Sequence, residues 1–228
     1  MDKCTGEAGL GEGAEERDAV IVELLTEARL ASYLRATRTR SGAMRLYEWN
    51  VRVAAGVMEL TAAVEVVSRN AMDRELTSWA NRRRAGDWLD AAPLDPRGRH
   101  DVDKAKERAA RGGASGRHDR VLAELSFGFW RYLLSSRYHA SLWVPDLHRA
   151  FPRGPVDLRS RRREVEGRMH RLHLARNRAA HHEPIHQRDL RRGLDDALDL
   201  LGWVHPMAAE WAADVTSLGA VLDARPSG

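Results

Sequence analysis

Apolar residues recur along most of the chain at steps of three and four, the period of a helix that buries one face. Val20, Leu24, Leu25, Ala28, Ala31 and Leu34 set this rhythm first, and a break is expected over Thr39 to Gly42. The strongest run follows, from about Ala43 to Trp79. It is carried by Met44, Tyr47, Val51, Ala55, Met58, Ala62 and Val66, with no proline and a single glycine, Gly56. At ~1.5 Å per residue such a helix would span roughly 50 Å, the length of a bundle's spine. Asn81 to Gly86 reads as a basic turn. Residues 87–100, with two prolines and Gly98, read as a connection holding short helices at most. Asp101 to Ala110 predicts a short polar helix, and GGASG at 112–116 a flexible joint.

The helical period resumes at Arg120 with Val121, Leu122, Leu125, Phe129, Trp130 and Leu133. Pro145, Pro152, Gly154 and Pro155 interrupt it. Asp157 or Ser160 then caps a helix reaching about His182, where Pro184 stops it. Asp189 to Leu201 and Pro206 to Leu222 predict the last two helices. No run alternates as a strand demands, and no long period repeats. The expected fold is all-α, a helical bundle around one long spine helix. Residues 1–18, acidic and glycine-rich, read as a disordered leader, and 19–228 as a single helical domain.

Composition sharpens this in three ways. With 43% hydrophobic and 31% charged residues, the chain can build a core, which excludes wholesale disorder. All but three of its 37 basic residues are arginine, and the net charge is +4. The planar arginine fork suits a phosphate-bearing partner, although a genome-wide base bias produces the same excess. The single cysteine, Cys4, excludes an internal disulfide and a cysteine-based zinc cluster. No apolar run is long enough for a membrane span, and the N-terminus lacks the apolar core of a secretory signal. A cytoplasmic protein with no membrane partner is therefore expected.

The candidate chemistry lies in Leu172 to Ile185, LHLARNRAAHHEPI. Arg176, Asn177 and His181 form the pattern R-N-x-x-x-H near a helix end. Asn177 and His181 are four residues apart and share a face, and His173 stands one turn earlier. Such a group suits cleavage of RNA by its own 2′-hydroxyl. An imidazole near neutrality exchanges protons, and a guanidinium stabilises the charge growing on the phosphorane. Asparagine orients one or the other. No metal or cofactor is required. One histidine per chain is a thin set, so two copies facing each other across a dimer axis would complete it. The helix dipole also favours Arg and His near a C-terminus, so spacing alone does not establish a nuclease.

Other constellations each have a plainer reading beside the functional one. His182, Glu183 and His186 spell H-E-x-x-H, but Pro184 prevents the continuous helix that a zinc protease needs. His186 is expected instead to border the RNA site, and the doubled His182 is a second imidazole that could face it. Glu65 and Arg69 form an i, i+4 pair beside Asn70. They make an intrahelical salt bridge, or they stand beside Arg176 and His181. Arg159, Arg161, Arg162 and Arg163 form a basic track for RNA phosphates along the helix that ends in the site. Arg82 to Arg84 read as solvated surface. Phe127, Phe129, Trp130, Tyr132 and Tyr138 are expected in core and dimer contacts, with Gly128 marking a close helix approach. Trp49, Trp203 and Trp211 are read as core anchors.

Three separated blocks carry a family resemblance: residues 46–76, residues 125–143 (LSFGFWRYLLSSRYHASLW), and ARNRAAHHEPI, followed by LLGWVHPMAAEWAADV at 200–215. Together they resemble the Abi-like proteins of bacteria, members of the HEPN superfamily, over roughly residues 19–225. The resemblance implies a HEPN-like helical bundle, a homodimer and metal-independent endoribonuclease activity. It also implies a role in phage defence by abortive infection, or as the toxin of a toxin–antitoxin pair with an antitoxin protein as partner. The family motif falls on Arg176, Asn177 and His181, with the Arg and His as catalytic residues. Some superfamily members have lost catalysis, so a non-catalytic module binding RNA, a nucleotide or an antitoxin is the alternative.

Overall fold

The computed structural model describes residues 8–111 and 118–226, with side chains from residue 17 onward. All regular structure among them is helical. α1 (Ala8–Leu25) begins inside the expected leader. Good helix formers such as Ala, Glu and Leu outnumber Gly9, Gly11 and Gly13, and the helix runs on into the amphipathic segment at Ala19. Residues 1–7 and the GGASG joint lie outside the described residues.

α2 (Glu27–Thr37) closes on Arg38 in the left-handed region, at φ 61°. Thr39 immediately caps α3 (Arg40–Arg82), its hydroxyl accepting the Gly42 N–H at 3.1 Å. The predicted break is thus a sharp corner, and the spine runs 43 residues. Trp49, Val53, Val57, Leu60, Val64, Met72 and Leu76 form its buried face.

α4 (Trp88–Ala91) is capped by Asp87. α5 (Pro96–Arg111) starts earlier than its predicted Asp101. Pro96 needs no N–H at the first helical position, and the Asp95 carboxylate accepts from the Gly98 N–H at 2.9 Å. The helix expected from Arg120 is divided into α6 (His118–Glu124) and α7 (Phe127–Tyr132), because Ser126 caps a new start. His118 lies between two carboxylates, Nε2 2.7 Å from Asp73 and Nδ1 2.9 Å from Asp87. Burial opposes its charge, but the two carboxylates outweigh burial and hold its pKa above the usual histidine value.

Short turns over Ser136–Tyr138, His139–Trp143 and Leu147–Ala150 lead to α8 (Leu158–Ala180), capped by Asp157 at 2.7 Å from the Ser160 N–H. α9 (Leu190–Val204) is capped by Asp189. The single helix expected from Pro206 is divided into α10 (Pro206–Val215) and α11 (Leu218–Asp223). Glu59 of α3 causes the division: its carboxylate accepts both the N–H and the hydroxyl of Ser217 at 2.8 Å.

The buried residues form one contiguous core, with Trp88, Trp130, Trp143, Phe129 and Tyr138 fully inside. Trp49 is buried, while Trp203 is half-buried under the Arg168 guanidinium. Trp211 is not a core anchor: it is 51% exposed, because α10 turns Met207, Trp211 and Val215 outward together. The basic turn is not merely solvated either. Arg82 and Arg83, with Arg149, close on the buried Asp146 carboxylate. No described helix is long and apolar enough to cross a membrane.

Gly56 is buried where α11 crosses the spine. A Cβ there would lie 2.9 Å from Leu218 Cα and 3.1 Å from its N. Alanine gains about 1 kcal/mol over glycine in a helix. Displacing packed backbone costs about 1–3 kcal/mol, so the contact wins. Gly56→Ala is expected to lower the urea midpoint, a net loss of about 1 kcal/mol. An unchanged or raised midpoint would show that α11 yields without cost.

Candidate functional site

Of the sequence-predicted residues, Glu65, His173, Arg176 and Asn177 meet where α3, α7 and α8 converge. α8 sends Val165, Met169, Leu172 and Ala179 into the core, which leaves His173, Arg176 and Asn177 half-buried on another side. The Asn177 amide joins its neighbours. Its Oδ1 accepts from Arg176 Nη1 at a long 3.4 Å, and its Nδ2 lies 3.3 Å from His173 Nε2. That pairing requires a neutral His173 as acceptor. Burial, then the positive charges of Arg131 and Arg176, push the His173 pKa below the ordinary value. The Phe127 ring meets the imidazole edge-on, with centroids 5.9 Å apart. Gly128 is the close approach expected from sequence. A Cβ there would lie 3.4 Å from His173 Nε2, so α7 packs directly over this imidazole.

Glu65 reaches the cluster from the spine. Its carboxyl accepts the Phe127 N–H and lies in the field of Arg176 and Arg69. Burial raises its pKa against those three influences. Both arginines, Arg176 and Arg69, act on the Glu65 carboxyl, and no salt bridge joins Glu65 to Arg69 among the described residues. Arg69 turns toward its neighbour Asn70, Nε 3.4 Å from Oδ1.

His181 ends α8. Its N–H donates to the Asn177 carbonyl at 3.0 Å, and its side chain is exposed. His182 follows at φ 55°, also exposed, and its carbonyl accepts from Arg29. Beside this end runs an open apolar flank of α3, with Val51 53% and Val66 43% exposed. A cavity of about 640 Å³ lies along it, lined by Tyr47, Val51, Ala54, Met58, Ala180 and His182.

Two expectations are corrected. His186 does not border the site. It is buried, with Nε2 3.3 Å from Ser32 Oγ and its ring 4.8 Å from that of Tyr33, because the left-handed turn at His182 sends the chain back under α2. One imidazole of the H-E-x-x-H string is therefore exposed and the other buried. Nor are Arg161 and Arg162 part of a phosphate track. Both are buried, Arg161 donating to the Pro155 carbonyl at 2.7 Å and Arg162 to Leu134 and Glu166. Arg159 and Arg163 remain exposed.

Sequence reasoning passed over Arg131, whose charge reaches His173, and the Phe127 N–H that engages Glu65. The signal for Arg131 was a lone cation inside the apolar run FGFWRYLL. No family model, curated protein or solved structure matches this chain.

Proposed function

We propose that the chain is a metal-independent endoribonuclease of the HEPN type, acting on RNA in the cytoplasm. Its role would be phage defence by abortive infection, or toxicity restrained by an antitoxin protein. The observation that carries this reading is the Arg176 guanidinium. It is half-buried beside Glu65 and Asn177, on the helix whose end presents the exposed His181.

His181 takes the proton from the 2′-hydroxyl, which attacks the adjacent phosphorus. Arg176 stabilises the phosphorane oxygens with a charge that does not titrate away. Asn177 and Glu65 hold that guanidinium in place. The proton returns to the 5′-oxygen as the P–O bond breaks, which leaves a 2′,3′-cyclic phosphate and a 5′-hydroxyl. A homodimer supports this chemistry by supplying a second imidazole for the leaving group. The exposed apolar flank of α3 next to the site is a surface that a second copy would cover. Arg159 and Arg163 are exposed on α8, with Arg163 roughly 20 Å from Arg176 along the helix and about 140° around it, so they would meet phosphates of the strand beyond the site.

Purified protein incubated with labelled RNA in excess EDTA is expected to yield cyclic-phosphate and 5′-hydroxyl ends. Cleavage that requires a divalent metal overturns the mechanism. Intact RNA that binds measurably selects the non-catalytic module instead.

A further inference from the structure

A second concavity opens on another side of α8. Arg171, Leu174, Ala175 and Arg178 look across about 290 Å³ toward α9 and the segment before it. Each helical residue turns the face by roughly 100°, so these four stand away from His173 and Arg176. The cavity is therefore separate from the site above, and a ligand there needs no nuclease activity.

Its floor is apolar, formed by Val57, Leu60, Leu172, Ile185, Leu190 and Leu218. Its polar lining is unbalanced toward positive charge: four arginines, Arg171, Arg178, Arg188 and Arg192, face Asp189 and Asp196. Both carboxylates are already engaged. Asp196 accepts twice from Arg171, at 2.6 and 2.8 Å, and Asp189 caps α9 through the Arg192 N–H. Arg178 is held by Glu183 at 2.8 Å. The side chains of Arg188 and Arg192 are exposed and make no hydrogen bond or ion pair among the described residues. Two unengaged planar forks thus stand at the mouth of an apolar hollow.

We propose that this cavity binds a small organic anion, with a ring-sized apolar body on the floor and a phosphate or carboxylate between Arg188 and Arg192. Its volume sits at the small end of ligand pockets, about 300–1,000 Å³, which sets the size of that body. An arginine fork accepts either anion by paired hydrogen bonds. The apolar floor excludes a bare inorganic ion as the favoured occupant, because the floor then stays wet.

Gly193 offers a clean probe. It lines the cavity, and a Cβ added there meets nothing within 4 Å, so a side chain enters open space without straining α9. The experiment is calorimetric titration of the full chain with naphthyl phosphate, naphthoate, naphthol and inorganic phosphate. At least one naphthyl anion is expected to bind about ten-fold or more tighter than naphthol and inorganic phosphate. The tighter of the two anions identifies the head group. Gly193→Leu and the double variant Arg188→Ser/Arg192→Ser should each weaken it by about ten-fold or more, with thermal unfolding raised slightly in Gly193→Leu, where a helical glycine is replaced, and close to unchanged in the double variant. Naphthol binding as tightly as the anions, no anion binding at millimolar concentration, or wild-type affinity in both variants would overturn the proposal.

Discussion

Arg176→Ala is expected to reduce RNA cleavage by roughly 10³-fold, the cost of removing a preorganised donor from a developing oxyanion. Folding should barely notice. Arg176 is half-buried, and without it Glu65 keeps Arg69 and the Phe127 N–H. The expected change in stability is within about 1 kcal/mol, as for a partly exposed ion pair. Arg176→Lys separates charge from geometry. An ammonium keeps the attraction to Glu65 but not the planar fork, so activity should fall to an intermediate level. His181→Ala should cost roughly 10²–10⁴-fold, the range for a lost proton-transfer group. The rates are read as initial velocities on labelled RNA in EDTA, and urea unfolding of each variant verifies the fold. Wild-type velocity in Arg176→Ala would remove the guanidinium from the chemistry and take the ribonuclease reading with it.

What the sequence disclosed depended on how far apart the interacting groups lie in the chain. The spine helix, the helix starts near Asp157 and Asp189 and the stop before Pro184 are local, each settled within a few residues, and they stand as read; of the two caps open for α8, Asp157 is the one used. The division of the last helix is not local. It needs Glu59, 158 residues upstream, to reach Ser217, and nothing near Thr216 announces it. The arginine run misled for the same reason. Arg161 and Arg162 look like their neighbours Arg159 and Arg163, but carbonyls of Pro155, His148 and Leu134 accept from them inside the fold. Periodicity placed Asn177 and His173 on a common side correctly. It could not place His181 and His186, because the chain leaves the helix at His181 and helical spacing stops applying.

The largest effect on stability is expected from Asp95, in the connection read from sequence as holding short helices at most. Its side chain is 13% exposed. It accepts from Tyr132 Oη at 2.6 Å, Tyr138 Oη at 2.8 Å and the Gly98 N–H at 2.9 Å, with Arg137 Nε at 3.3 Å. One carboxylate thus caps α5, holds the end of α7 and fixes the Tyr138 turn. The Tyr132 hydroxyl is the main influence holding its pKa down to about 2, and burial pushes the Tyr138 phenol up to about 12, so it remains a donor. Asp95→Ala leaves the buried Tyr138 hydroxyl without its acceptor and removes the cap, an expected loss of about 2–4 kcal/mol by urea unfolding. Asp95→Asn keeps the volume and the oxygen that serves Gly98 and Tyr138, but it removes the charge together with the oxygen that accepts from Tyr132 and faces Arg137. Because the folded pKa lies below the unfolded 3.8, the charge contributes fully above that value and is lost as pH falls through about 2. The stability gap between wild type and Asp95→Asn should therefore close over that acid window. A gap that persists to the lowest pH would assign the effect to shape and not to charge. Since Tyr132 ends the helix that carries Phe127 and Arg131, loosening it should also weaken the seat of Glu65 and His173, which ties this staple to the site.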